Sequence, residues 1–391
     1  MKLKETLFAA VAPLAVLALI VGVAEVGSGQ GNSSNLSALP LAVSAPSDNP
    51  TTPAKVALGR LLFWDPILSG SKDVACATCH HPEFGYAENL DISVGVNGVG
   101  LGSSRRFAFP NAIPFVKRNS QTILNVAFNG IQPVGRYDPA AAPMFWDMRV
   151  LSLETQALEP LKTFEEMRGH AYPENKALDE VVARLRSIAE YRTLFARAFG
   201  NEQAITTGNL GKALAAFQRS LLANNSPFDR YVRGDRNAMT TAQIQGMRQF
   251  ERVGCVNCHS GPMFSDFKLH VLGVPDNVKV PQSDAGANQT YAFRTASLRN
   301  LAFTAPYMHS GVIRTLDDVL DFYDDVTGRR GRDRNRNVGR EQLDPLLRRL
   351  RNVNRGEEEV IEFLQALNDG SFDRTIPARV PSGLLPGGRI E

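Results

Sequence analysis

The chain has 391 residues, of which 43% are hydrophobic, and its formal net charge is +3. A chain of this length and composition is expected to form two domains, each with a sizeable hydrophobic core. Because the net charge is so small, we expect neither nucleic acid nor an anionic membrane surface as a partner.

The N-terminal segment 1–26 has the pattern of an export signal. Lys2 and Lys4 form a positive n-region, and an apolar run over residues 7–24 follows them. The run is long for a signal peptide and no clean cleavage motif follows it, so an uncleaved membrane anchor is the alternative. Whether the segment is cleaved or stays as an anchor, the globular part is expected in the periplasm. Residues 27–53 are rich in Gly, Ser, Asn and Pro, which predicts a flexible linker.

Two pentapeptides, over residues 76–80 and 255–259, share the pattern Cys-x-x-Cys-His and together contain all four cysteines. In this pattern the two thiols attach a c-type haem and the His becomes an axial iron ligand. A redox dithiol, a zinc site or a disulfide framework would not require a His directly after the second Cys in both copies. The sequence therefore predicts two covalent haems. The residues that would hold them are Cys76, Cys79, His80, Cys255, Cys258 and His259.

Apolar residues at three- and four-residue spacing predict a mainly α-helical chain. The predicted helices cover residues 56–63, 178–199, 207–221, 241–253 and 357–367. Residues 89–114 lack this periodicity and are expected to form a long loop over the first haem. Each motif has enough chain around it for one cytochrome c-like domain, over residues 54–225 and 226–391. The C-terminal tail is expected to pack back on the first domain.

An Arg-rich stretch covers residues 329–336. We expect it to be a solvated surface loop. The alternative is a docking patch for an acidic partner.

The sixth ligand of each iron decides what its haem can do. An iron closed by a second protein ligand relays electrons, whereas an open iron can bind peroxide. Of the other histidines, His81 is too close in sequence to His80 to reach the opposite haem face, and His170 lies in a predicted loop. Two functions stay open at this point. One is peroxide chemistry at an open first haem, and the other is a di-haem electron carrier without peroxide chemistry.

Further segments occur in a fixed order around the two motifs, at residues 118–122, 145–149, 156, 160, 166–167, 298–300 and 304–311. With these segments, residues 54–369 resemble the bacterial di-haem cytochrome c peroxidases and their MauG-type relatives, which oxidise residues of a partner protein. The resemblance implies a periplasmic enzyme that reduces hydrogen peroxide at an open haem. Its electrons would come from a small cytochrome c or a cupredoxin, or from residues of a protein substrate.

The resemblance also assigns the residues that act in the reaction. Trp146 would be an electron bridge between the haems, and Gln156 and Glu166 would line the distal pocket of the first haem. A carboxyl group can move the proton that O–O cleavage requires, whereas an amide can only hold the peroxide or a water. The alternative for Glu166 is a solvated helix residue beside Glu165.

The family's calcium site corresponds to the Asn119 side chain and the backbone carbonyls of Thr304 and Pro306. Oxygen ligands of this kind suit a hard cation such as Ca²⁺. Members of the family also form homodimers, and the sequence leaves the oligomeric state open.

Three positions depart from the family's patterns. Many of the peroxidases carry a blocking His after the first motif, whereas this chain has Val96, so the first haem is expected to be open without reductive activation. Many close the second haem with Met, whereas the matching residue here is Tyr323, as in MauG, with Met308 as the rival ligand and His309 as a weaker one. A phenolate favours oxidised iron. MauG's surface Trp before the second motif corresponds to Val253, which puts the same protein substrate in doubt.

Overall fold

The computed structural model describes Met1 and residues 36–132, 137–328, 334–353 and 356–391. Most of the expected signal or anchor over residues 1–26 lies outside the described residues, as do the first part of the predicted linker and residues 329–333 of the Arg-rich stretch. Within the described ranges, no helix has the length and apolar character that a membrane span needs.

The fold is mainly α-helical, as predicted, and the described residues contain eleven α-helices and three short antiparallel strand pairs. The helices are α1 (Pro53–Trp64), α2 (Cys76–Cys79), α3 (Leu153–Gln156), α4 (Glu159–Lys162), α5 (Ala177–Ser187), α6 (Ala189–Phe199), α7 (Thr207–Arg219), α8 (Pro227–Val232), α9 (Thr241–Val253), α10 (Leu316–Thr327) and α11 (Glu357–Gln365). The strand pairs are β1 (Gly98–Val99) with β2 (Arg106–Phe107), β3 (Pro143–Met144) with β4 (Val150–Leu151), and β5 (Leu269–His270) with β6 (Phe293–Arg294).

Three of the longer helices begin at a threonine that caps their first turn. The side chains of Thr52, Thr206 and Thr240 accept hydrogen bonds from backbone N–H groups in the first turns of α1, α7 and α9. At α9, Gln243 reaches back to the cap residue and completes a capping box. Such caps satisfy N–H groups that have no partner inside the helix.

Two main hydrophobic cores organise the described chain. The first contains buried residues from α1 to α7, and the second contains buried residues from α8 to α11. Each core includes a helix crossing that only glycine allows. A Cβ atom at Gly59 of α1 would overlap the carbonyl oxygen of Ala213 on α7, and one at Gly246 of α9 would overlap that of Glu359 on α11. Each crossing involves the longer helix that precedes a Cys-x-x-Cys-His motif in sequence, α1 or α9.

The C-terminal segment after α11 lies against the first core. Phe372 is buried in that core. The hydroxyl of Tyr86 donates to the carbonyl oxygen of Asp373 at 2.7 Å, and that of Thr78 donates to the carbonyl oxygen of Gly387 at 2.8 Å. Thr78 lies inside the first motif, so the tail contacts the haem-attachment turn itself.

Residues 36–53 are packed, which differs from the flexible linker expected there. Leu36 and Leu39 are buried. The backbone N–H of Leu39 donates to the Asp229 carboxylate at 2.9 Å, and the guanidinium of Arg233 donates to the Leu39 carbonyl at 2.6 Å. Composition could not reveal this packing, because the partners lie about 190 residues away in sequence.

The predicted helices are confirmed, with one correction. Residues 178–199 form two helices, since Ile188 has extended backbone angles (φ −96°, ψ 115°) and ends α5. The buried residues Val181 and Leu185 on α5 and Phe195 on α6 face one core. Because the apolar spacing continues through the break, hydrophobic periodicity could not reveal it.

A buried ion pair ties three segments of the chain together. The guanidinium of Arg299 binds both carboxylate oxygens of Asp229 at 2.8 and 3.0 Å. The same carboxylate accepts hydrogen bonds from Leu39 and from Ser226, the cap of α8. Asp229 is 0% exposed and Arg299 is 2% exposed. Removing one partner would therefore leave a buried charge without compensation.

We predict that Asp229→Ala lowers the free energy of unfolding by about 3–5 kcal/mol, because it leaves the Arg299 guanidinium unpaired. The measurement is equilibrium unfolding by denaturant. The matched control is Glu190→Ala, which breaks the Glu190–Arg379 pair at the surface and should cost far less. Equal losses in the two variants would contradict the prediction.

Candidate active site

One cavity of about 660 Å³ gathers the predicted site. Its lining comes from segments that are far apart in sequence and belong to both cores. Every residue predicted to hold haem, to act in the reaction or to bind calcium lies on its wall. They are Cys76, Cys79, His80, Asn119, Trp146, Gln156, Glu166, Cys255, Cys258, His259, Thr304, Pro306 and Tyr323.

Both motifs fold into a tight turn that brings the His back towards the first Cys. In the first motif, α2 ends at Cys79 and the N–H of His80 donates to the Cys76 carbonyl at 3.0 Å. In the second motif, the N–H of His259 donates to the Cys255 carbonyl at 2.9 Å. The same local geometry therefore occurs twice.

Both motif histidines are held in the form that a metal ligand needs. Nδ1 of His80 lies 3.1 Å from the carbonyl oxygen of Tyr86, and Nδ1 of His259 lies 2.9 Å from that of Phe264. Since a carbonyl oxygen only accepts, Nδ1 carries the proton and Nε2 keeps its lone pair. Burial also lowers the pKa of both imidazoles, which favours the neutral form.

The cysteines fit haem attachment better than the other uses of such pairs. None of the four is in a disulfide. Burial raises the pKa of the Cys76 and Cys255 thiols to about 12, which is unsuited to a reactive dithiol. In the described part of the chain, the one cluster with metal-ligand spacing joins Cys258 to Asp266 and His270, so it includes only one cysteine of a pair.

Glu166 lies on the π-helical turn Phe164–Arg168, and its side chain lines the cavity. Burial raises its pKa to about 7, against an opposing effect of the Arg149 guanidinium. The Glu166 charge also helps to raise the pKa values of the Cys76 and Cys79 thiols, so the carboxyl group is close to the first motif. These surroundings differ from those of a solvated helix residue.

The loop 89–114 supplies no iron ligand to the cavity. The structure describes this loop completely, and only its Ser93 belongs to the cavity wall. Val96 is buried in the first core, close to Gly169, and its N–H donates to the Glu166 carbonyl at 3.0 Å. The loop thereby holds the turn that carries Glu166.

Trp146 is fixed at its backbone and at its indole. Its Nε1–H donates to the carbonyl oxygen of Asn119 at 3.0 Å, and its own carbonyl accepts from the N–H of Arg294 at 2.7 Å. The ring of His309 stands edge-on to the indole, with a centroid distance of 6.4 Å, and stacks on Phe293 at 3.6 Å. No sequence pattern predicted these ring contacts.

Tyr323 and Met308, the two rival ligands of the second haem, both line the cavity. Tyr323 projects from α10. Burial raises the pKa of its phenol, and the nearby Cys258 and Cys255 thiols add to this effect. Tyr323 is therefore close to the second motif.

The residues at the expected calcium site offer oxygen atoms. The amide nitrogen of Asn119 donates to the carbonyl oxygens of Leu90 at 3.0 Å and Asp91 at 3.2 Å. With the amide nitrogen directed to these carbonyl oxygens, Oδ1 is the atom of the Asn119 side chain that can ligate a cation. Thr304 and Pro306 line the same cavity. This donor set suits a hard cation.

His270 is a cavity residue that sequence reasoning missed. It lies between the carboxylates of Asp344 at 2.6 Å and Asp266 at 3.0 Å. Burial alone would lower its pKa, but hydrogen bonds to Asp266, Cys258 and Asp344 outweigh burial and raise it to about 11. No sequence signal could reveal this cluster, since Asp344 lies 74 residues from His270.

Val253 does not lie at the surface. It is 2% exposed, and its carbonyl accepts a hydrogen bond from the N–H of Arg351 at 3.0 Å. A protein partner could not contact this position as it would contact an exposed side chain.

Comparisons with known proteins agree with this geometry. The family model described as di-haem cytochrome c peroxidase matches residues 53–237. The chain is 36% identical to the methylamine utilization protein MauG of Methylorubrum extorquens, over 73% of this chain and 72% of that protein. It is 34% identical to the cytochrome c551 peroxidase of Pseudomonas aeruginosa, over 67% and 69%. A solved MauG-like protein associated with microbial copper homeostasis superposes with a TM-score of 0.66 at 27% identity, covering 85% of this chain and 95% of that one.

The two matched proteins carry the names of both branches of one family, and each match extends over two thirds or more of both sequences. The duplicated haem motif on the wall of one cavity is the structural counterpart of that likeness. The chain therefore belongs to the family of di-haem cytochrome c peroxidases and MauG proteins, and it is a di-haem peroxidase-type oxidoreductase.

Proposed function

We propose that this protein reduces hydrogen peroxide at an open first haem, held by Cys76, Cys79 and His80. The observation that carries the proposal is the position of Glu166. Its carboxyl group lies on the cavity wall close to the first motif, while the loop that would carry a blocking His offers only Ser93. When bound, the haem supplies the iron at which peroxide reacts.

Glu166 transfers the proton in this proposal, and Gln156 orients the peroxide. With a pKa of about 7, Glu166 is present in both protonation states near neutral pH. The carboxylate takes a proton from the bound peroxide, and the acid returns it to the departing oxygen, which leaves as water. The Gln156 amide, at the end of α3, orients the peroxide by hydrogen bonding.

Two electrons and two further protons complete the reduction of peroxide to water. Trp146 lies on the wall of the cavity that both motifs share, which supports its role as the electron bridge. The electrons come from a small cytochrome c or cupredoxin, or from residues of a protein substrate. Because Val253 is buried, a protein substrate would exchange electrons elsewhere than at the position of MauG's surface Trp.

Tyr323 is our candidate for the sixth ligand of the second haem, ahead of Met308. Its proximity to Cys255 and Cys258 supports this choice. Burial keeps the free phenol protonated, so only a bound metal ion would stabilise the phenolate in this position. A phenolate ligand favours oxidised iron and so lets the second haem hold an oxidising equivalent.

Three further features belong to the proposal. Calcium is held by Asn119, Thr304 and Pro306, whose oxygen atoms suit it. The protein acts in the periplasm after export through segment 1–26, which either is cleaved or stays as an anchor. The two haems are attached to the protein in the periplasm.

The proposed function predicts that peroxide reacts with the fully oxidised protein and that Glu166→Gln slows this reaction by about 10²–10⁴-fold. Since the carboxylate form accepts the proton, the wild-type rate should rise as the pH passes upward through about 7. The Glu166→Gln variant should lack this rise. Stopped-flow absorbance in the haem bands measures the rate.

Glu165→Gln is the matched control, because it removes a neighbouring carboxyl group by the same substitution. It should leave the plateau rate unchanged and move the pH-dependent rise only slightly downward, because the Glu165 charge helps to raise the pKa of Glu166. If peroxide did not react with the oxidised wild type, the peroxidase proposal would be contradicted. The result would favour a di-haem electron carrier without peroxide chemistry. Equal rates in both variants would remove Glu166 from the mechanism.

Covalent attachment predicts a second outcome. Replacing Cys255 and Cys258 by Ala should leave a protein with one covalent haem, since the first motif is intact. Mass spectrometry of the denatured protein, with the haem absorbance per chain, measures this directly. Two covalent haems in the double variant would contradict the assignment.

A further inference from the structure

Three contacts, two through Asn119 and one between the rings, connect His309 to Trp146. The indole Nε1–H donates to the carbonyl oxygen of Asn119 at 3.0 Å. The N–H of Asn119 donates to the carbonyl oxygen of His309 at 2.8 Å. The imidazole of His309 then stands edge-on to the indole, with an interplanar angle of 72°. His309 thus supports Trp146 through its backbone and through its ring.

The imidazole is itself held in place. It stacks on Phe293 with an interplanar angle of 13°. The guanidinium of Arg118 lies 5.4 Å from the same Phe293 ring and binds the carboxylate of Asp147 at 2.7 Å. Since Asp147 directly follows Trp146, this second set of contacts also returns to the indole. Side chains with fixed partners on several sides hold a functional group in one geometry.

The ring of His309 is buried beside the cavity. His309 is 4% exposed and lines the cavity, yet its Nε2 atom has no hydrogen-bond partner among the described residues. A phenylalanine would fill the same space without a buried polar atom. Burial lowers the pKa of His309 to about 4, so the ring is neutral at physiological pH.

The two cations that act on His309 are each paired with carboxylates. Arg118 pairs with both Asp147 and Asp284, and Lys117 pairs with Asp284. Asp276 is the other charged group that acts on His309. On this side the indole therefore has a neutral ring beside it, and the Arg118 and Lys117 cations are paired with carboxylates.

We propose that His309 is a positioning residue for electron transfer, which fixes the indole of Trp146 in the path between the two haems. The inference rests on the proposed function, because it assumes that Trp146 is the bridge. In each transfer one electron passes from one haem to the other through the indole, which is itself neither oxidised nor reduced. No bond breaks, and the proton stays on Nε1 because its partner is a carbonyl oxygen, which is not a base.

The test measures electron exchange between the haems without peroxide. A light flash in the presence of a photoreductant adds one electron to the oxidised holoprotein, and absorbance follows its redistribution between the two haems. His309→Leu keeps the volume but removes the flat ring, and it should slow redistribution by about ten- to a hundredfold. His309→Gln, a second variant without an aromatic ring, should behave alike. His309→Phe keeps the ring and should restore a rate close to that of the wild type.

The matched control is His170→Leu, since His170 also stands edge-on to a ring, that of Phe164, at a centroid distance of 4.8 Å, but does not line the cavity. It should leave the rate unchanged. Haem content and the resting spectrum are measured first, so that a loss of cofactor is not mistaken for slow transfer.

Redistribution at the wild-type rate in His309→Leu and His309→Gln would overturn the inference. So would a His309→Phe variant as slow as these two. Failure of the wild type to react with peroxide would instead overturn the proposed function, because the flash experiment involves no peroxide.

Discussion

Two hydrogen bonds to backbone carbonyls underlie the rest of this structure. They hold His80 and His259 with Nδ1 protonated and Nε2 free, at the end of turns that place two cysteines beside each ring. A haem iron can be ligated only by the unprotonated nitrogen. The carbonyl partners, Tyr86 and Phe264, are buried residues of each half. Formation of the two haem sites is thus coupled to formation of the two cores.

The two haem motifs share this geometry, but the side chains that face the cavity near each motif differ. Near the first motif stands a carboxyl group, Glu166, without a cationic partner strong enough to keep its pKa low. Near the second motif stands the phenol of Tyr323. Other buried charges form ion pairs, and Asp229 with Arg299 is an example. A perturbed acid in a cavity is what a proton-transfer role requires, whereas paired charges serve the fold.

The sequence predicted the features that depend on local patterns. The Cys-x-x-Cys-His motifs, the helix α9 that leads into the second one and the helical face of α7 follow from spacing alone. Contacts between distant segments could not be predicted in this way. Three such contacts are the hydrogen bond of Leu39 to Asp229, that of His270 to Asp344, and the ring contact of His309 with Trp146. Each joins residues that are far apart in sequence. The resemblance to a family identified single residues such as Glu166, but not what surrounds them.

The account depends on a difference in coordination between the two irons. Electron paramagnetic resonance of the fully oxidised holoprotein tests it most directly, since it separates high-spin from low-spin ferric haem. We expect one high-spin signal from the open first haem and one low-spin signal from the second haem closed by Tyr323, with only the latter changed in Tyr323→Phe. Two low-spin signals from six-coordinate irons in the wild type would contradict the account.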